Sequence, residues 1–149
     1  MRVKPIPKGY HTVTPYLVVE GAAKLIDFLK KAFDAKEKER MVRPDGSVGH
    51  AEAKIGDSIV MMGDAMGDYK PMPATLYLYV KNTDAAYKRA LSAGAVSIME
   101  PQDMFWGDRN AGVKDPFGNQ WWISTHKENV SPKELKKRSE AYFKKQSQG

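Results

Sequence analysis

The chain has 149 residues, enough for one domain with a real core or for two fused half-domains, and its 42% hydrophobic content marks a folded protein rather than a disordered one. No stretch approaches the roughly 18 uninterrupted apolar residues of a membrane span, and the lack of cysteine excludes disulfides, thiolate catalysis and a Cys-type zinc site. The net charge of +6 gathers at the end: residues 127–149 hold seven Lys or Arg against three Glu, leaving +2 for the other 126, which suits a solvated helical face better than a nucleic-acid surface.

The segment Met1–Tyr10 is basic and contains prolines, but no apolar run follows it. It does not read as a secretory signal, so a cytoplasmic location is expected. Thr14-Pro15-Tyr16-Leu17-Val18-Val19 predicts a strand, ended by Glu20-Gly21. Ala22, Leu25, Ile26, Leu29, Ala32 and Phe33 then recur at helical spacing. Residues 35–43 form a weakly patterned second strand, and Pro44-Asp45-Gly46 a turn. From Val48 to Ile55 the chain alternates, with Ala51 and Ala53 on one face and His50, Glu52 and Lys54 on the other. Gly56-Asp57 turns into a fourth strand, Ser58–Met62. The order is β-α-β-β-β.

That order then restarts. Thr75-Leu76-Tyr77-Leu78-Tyr79-Val80 repeats the first strand as T-x-Y-L-x-V, 61 residues on, and Phe117-Gly118 repeats Ile55-Gly56 at 62. Asp84 is the expected cap of a second helix with Ala86, Tyr87, Ala90 and Leu91 facing inward and Gly94 stopping it. Strands follow at Val96–Met104, Asn110–Lys114 and Gln120–Ser124, the last two joined through Asp115-Pro116-Phe117-Gly118-Asn119. The organisation is a single domain over 1–149: module one at about 10–63, a Gly- and Pro-rich linker at 64–73, and module two at about 74–126. A C-terminal helix at about 131–147 opens with a capping box, Ser131-Pro132-Lys133-Glu134.

Several stretches resemble the vicinal oxygen chelate superfamily of glyoxalases, bleomycin-resistance proteins and dioxygenases, in its PhnB-like branch. They are Val13–Leu17, Ala32–Ala35, His50–Ser58, Gly107-Asp108-Arg109, Asp115–Trp121 and Thr125-His126. The resemblance spans residues 10–143. It implies an α+β fold of two βαβββ modules whose curled sheets surround a central cavity. Leu29, Asp34 and Asn119 depart from the Tyr, Gly and His usual in such proteins.

The resemblance also implies where metal ligands would sit, on the first and fourth strand of each module. Those positions fall on Thr14, Val60, Thr75 and Trp122, none of them a suitable protein ligand for a divalent ion. The expectation is therefore no metal cofactor, unless the ligands are placed elsewhere, with His50 and Glu52 among them. Tyr16, Tyr77, Tyr79 and Trp122 share the face that would have carried ligands, either lining a pocket or filling it as core. His50 and Glu52, two apart on one strand face, form the best acid/base or orienting pair and are the candidate catalytic residues. Their alternative is a hydrogen-bonded His on a half-exposed strand. Arg109 could bind a carboxylate or phosphate, or pair with Asp108 to brace its loop. His126 reads as a cap or surface residue. The expected function is binding of a small aromatic or acidic molecule by a homodimer, with no membrane or nucleic-acid partner. The alternatives are a metal-dependent lyase, isomerase or dioxygenase of the same superfamily, and an interaction protein acting through its basic tail.

Overall fold

The computed structural model describes residues 2–148 and builds the β-α-β-β-β unit twice. Module one comprises β1 (Tyr16–Val19), α1 (Ala22–Phe33), β2 (Lys36–Val42), β3 (Val48–Ile55) and β4 (Ser58–Asp64). Module two comprises β5 (Thr75–Tyr79), α2 (Thr83–Ser92), β6 (Val96–Asp103), β7 (Asp108–Lys114) and β8 (Gln120–His126), and α3 (Pro132–Ser147) follows. Each module forms a four-stranded mixed sheet, ordered β1-β4-β3-β2 and β5-β8-β7-β6. The outer β1 and β5 run parallel to β4 and β8, and the other neighbours are antiparallel. The α+β class and the repeated module are those expected from the sequence.

The stripe read from the sequence is the buried face of α1, joined by Phe28. α1 lies on module one's sheet, where Ala51 and Ala53 are fully buried; their small side chains let the helix approach closely. α2 covers module two's sheet in the same way, and the modules meet through contact between α1 and α2. Phe33 packs on Trp121 across that junction, with ring centroids 5.3 Å apart.

Helix ends show what local pattern reading could not reach. Gly21, at the start of α1, is left-handed with φ 108° and offers no side-chain cap. Asp64 caps α1 from the end of β4 instead, accepting from Gly21 N at 2.7 Å and Ala22 N at 2.8 Å. β4 thus runs through Asp64, the first residue assigned to the linker. α2 is capped by Asn82, whose extended backbone lets its side chain accept from Ala85 N at 3.0 Å; Asp84, the expected cap, lies in the first turn. Gly94 follows the helix with φ 110° as expected. The capping box of α3 forms, with Glu134 N donating to Ser131 Oγ. α3 buries no residue fully and docks on the turn before β7, where Phe105 stacks against Tyr142 at 4.9 Å and Arg138 donates to Phe105 O. Only glycine fits at 107 in that turn: its φ is 102°, and a Cβ would come within 2.3 Å of Glu128 O. Among the described residues no helix is long and apolar enough to cross a membrane.

The sheets remain separate and do not close into a barrel. Each helix covers one face of its own sheet, and the opposite faces open to solvent. Tyr16, Tyr77 and Tyr79 on those faces are 47%, 45% and 65% exposed. The single chain does not by itself close these faces around a central cavity. A groove of about 660 Å³ lies instead beside α1 and the Pro116-Phe117 turn.

Candidate functional site

On the helix-free face of module one, β-strand alternation brings His50 and Glu52 to one side, as expected. His50 Nε2 lies 2.8 Å from Glu52 Oε2, and Tyr16 Oη lies 3.2 Å from His50 Nδ1. Tyr16 crosses β4 above Gly63, where a Cβ would come within 3.0 Å of the hydroxyl. Tyr10, from the segment before β1, donates to Glu52 Oε1, and Lys38 Nζ sits 4.6 Å from the Tyr10 ring centre. Glu52 is 5% exposed. Burial pushes its pKa up, but the bonds from Tyr10 and His50 outweigh burial and hold the carboxyl below its usual range. An ionised Glu52 only accepts, so His50 Nε2 donates to it, and in the neutral imidazole Nδ1 then accepts from Tyr16.

The matching face of module two is aromatic. Asp108, 2% exposed at the start of β7, accepts at Oδ2 from Tyr77 at 2.9 Å, Tyr79 at 3.0 Å and Trp106 Nε1 at 3.0 Å. His126 Nδ1 lies 3.0 Å from its Oδ1. Burial raises the Asp108 pKa, and the four bonds together bring it below the ordinary carboxylate value. The bond to Asp108 raises His126, with Asn129 on its other nitrogen adding to the rise. His126 is exposed, as expected, and is also tied to the cluster through Asp108. Ser124 Oγ joins Tyr77 to Asn110. Trp122 lies flat over Gly112.

Pairing registers relate the two faces. Tyr16 is opposite Met61, which is opposite Glu52; Tyr77 is opposite Trp122, which is opposite Gly112. Met61 is therefore the counterpart of Trp122, and the sequence alignment to Val60 was one residue out. Val60 points into the core at 4% exposure, which the extra residues of the Asp115–Asn119 turn concealed. Glu52 is likewise the counterpart of Gly112: where module one has a buried carboxylate beside a methionine, module two has a glycine beneath an indole.

Arg109 does not join either cluster. Its guanidinium is bound by Asp84 at 2.6 and 3.0 Å and by Asp103 at 3.1 Å, tying the start of α2 to the end of β6. These bonds raise its pKa further. Asp108, the partner suggested by adjacency, points to the opposite face because neighbours on a strand alternate. Arg109 braces the fold, and its charge is already matched.

The family model described as the Glyoxalase/Bleomycin resistance protein/Dioxygenase superfamily matches residues 10–123. The chain belongs to that superfamily. An uncharacterized protein of Mycobacterium bovis is 40% identical over 134 residues, covering 83% of this chain and 88% of its own. Among solved structures, TioX from Micromonospora sp. ML1 superposes with a TM-score of 0.67 at 24% identity, over 78% of this chain and 98% of its own. A PhnB protein from Bacillus cereus gives a TM-score of 0.64 at 16% identity, over 77% and 99%. These two show the shared fold.

The superfamily's metal does not fit at its usual positions here. Thr14 and Thr75 offer only hydroxyls, Val60 is in the core, and Met61 and Trp122 occupy the face between them. Imidazole and carboxylate are wanting at all of these positions. The groups that local reading missed are Tyr10, Glu39, Trp106, Asn110 and Ser124. Tyr10 lies outside any periodic element, and Glu39 sits next to an irregularity between Glu37 and Glu39 that breaks the alternation of β2.

Proposed function

We propose that this protein is a PhnB-like, bleomycin-resistance-type binder of a small aromatic molecule, held against the helix-free sheet faces without the superfamily's usual metal. The supporting observation is the pairing of Tyr16, His50 and Glu52 on one face with Tyr77, Tyr79 and Trp122 at related positions of the other. Such a face offers broad ring contact and few, fixed polar groups, the composition of small-molecule sites. Acidic ligands lose their support, since Arg109 is neutralised and the charged groups on the two faces include Glu52 and Asp108.

A second copy of the chain closes the open faces in this reading, giving a two-fold homodimer. Exposed Tyr16, Tyr77 and Tyr79 favour it, because so much ring surface is seldom left in water without a purpose. The enzyme alternative finds no ligand set at Thr14, Met61, Thr75 and Trp122, and the basic tail is a helix docked on Phe105 through Tyr142 and Arg138.

The test is a screen of small aromatic compounds by tryptophan fluorescence, beside light scattering for the assembly. A ligand should quench the wild-type protein, and Trp122→Phe should lose most of that signal. A monomeric protein, or quenching that persists in Trp122→Phe and Tyr77→Ala, overturns the reading.

A further inference from the structure

We propose that Glu39, His50 and Glu52 form a binding site for a first-row divalent cation, on β2 and β3 and away from the superfamily's usual ligand positions. One ligand atom from each residue lies within 4.8 Å of the others, and Glu39 is the direct cross-strand neighbour of Glu52. Two carboxylates facing each other across a strand pair repel, so the arrangement favours a cation between them. Among the described residues, no ion pair takes up Glu39.

The independent sign is how the outer atoms of the two inner ligands are held. Tyr16 holds His50 by Nδ1, leaving Nε2 to point at the cluster. Tyr10 holds Glu52 by Oε1, leaving Oε2 to point the same way. Metal-binding His and carboxylate groups are characteristically fixed in this manner by partners on their far atoms. Nε2 and Oε2 are 2.8 Å apart, joined by a hydrogen bond without the ion; two ligands that share an ion at about 2.0–2.2 Å from each stand roughly 3.0–3.5 Å apart, so the pair needs to open by only about half an ångström. Lys38, over the Tyr10 ring, supplies partial charge compensation from outside but reaches none of the three ligands.

Binding requires a tautomer change. The proton on His50 Nε2 leaves, and Nδ1 becomes the protonated nitrogen, now donating to Tyr16 Oη. The Tyr16 hydroxyl, half exposed, turns its own hydrogen to solvent. One imidazole and two carboxylates suit zinc, manganese, iron(II), cobalt or nickel, and leave coordination positions for water or a ligand donor. This site shares Tyr16, His50 and Glu52 with the aromatic-ligand reading but needs module one's face alone, so metal uptake is measured apart from aromatic binding.

The experiment is calorimetric titration of the chelator-stripped full chain with zinc, repeated with cobalt and its visible spectrum. One ion per chain is expected. His50→Ala should abolish saturable binding, and Glu39→Gln should weaken it at least tenfold. Glu39 is on the surface, so its variant separates lost ligation from lost folding. Tyr16→Phe should weaken binding about tenfold, in the range seen when an outer partner is removed. His126→Ala should bind as the wild type does. Wild-type protein that takes up neither ion saturably, or one-to-one uptake that survives in folded His50→Ala and Glu39→Gln, overturns the proposal.

Discussion

The indole of Trp122 rests on the backbone of Gly112: a Cβ at that glycine would come within 2.6 Å of ring carbon Cζ3. The glycine is therefore required by the ring above it and not by a turn. Gly112→Ala should lift the half-buried indole off the sheet. Stability should fall by about 1–2 kcal/mol in urea unfolding, the usual cost of overpacking. Tryptophan emission should shift to the red as the ring enters water. Unchanged emission and stability would mean that Trp122 already samples a raised position.

Asp64 is a structural carboxylate of module one. It accepts from Gly21 N, Ala22 N and Val48 N, the last at 2.7 Å, and so ties β4 to the start of α1 and to β3. Burial pushes its pKa up, but these three bonds prevail and lower it. Asp64→Ala strands three backbone donors. A loss of about 2–3 kcal/mol is expected, as for helix caps and charged hydrogen bonds. Asp64→Asn, which keeps one acceptor oxygen, should cost about 1 kcal/mol. Equal losses in the two variants would show that charge, not bond count, carries the effect.

These cases show what the sequence displays and what it hides. The α1 stripe, the alternation of β3 and the T-x-Y-L-x-V repeat are local or periodic signals, and the elements they predict are present. His50 beside Glu52 follows from the two-residue period of a strand. Asp64 capping a helix over forty positions earlier, Tyr10 on Glu52 and Tyr79 on Asp108 are long-range contacts with no local pattern. Arg109 misleads for a related reason: its sequence neighbour Asp108 lies on the other face, while Asp84 is brought to it by the packing of α2 on β7.

Asp34 ends α1 in the left-handed conformation, with φ 55° and ψ 36°, and is the one non-glycine residue at positive φ among the described residues. Its carboxylate pairs only with Lys36, and both side chains are well exposed, so that pair adds little. Asp34→Gly removes a strain of about 1 kcal/mol and adds unfolded-state freedom of somewhat less. A net gain of about 0.5 kcal/mol is expected in denaturant unfolding. A loss would show that the Lys36 pair outweighs the relieved strain.

The Asp108–His126 pair sets opposite pH limits on stability. Asp108 has a folded pKa below its ordinary value of 3.8, so its stabilisation is full above about pH 4 and is lost as pH falls through the lowered folded value. His126 has a folded pKa above 6.5, so its contribution is full below that value and is lost as pH rises through the raised one. Together they predict greatest stability of the module-two face between about pH 4 and 6.5. His126→Gln should flatten the alkaline decline and leave the acid one in place, because Tyr77, Tyr79 and Trp106 still hold the carboxylate. Asp108→Asn should remove the share of both limbs that this pair contributes, and should lower stability most between the two limbs, the difference from wild type shrinking in acid as the wild-type carboxylate is itself protonated. Thermal unfolding measured at half-unit steps from pH 3 to 9 reads both limbs. An alkaline limb that survives His126→Gln intact would assign it to another group and end this account of the pair.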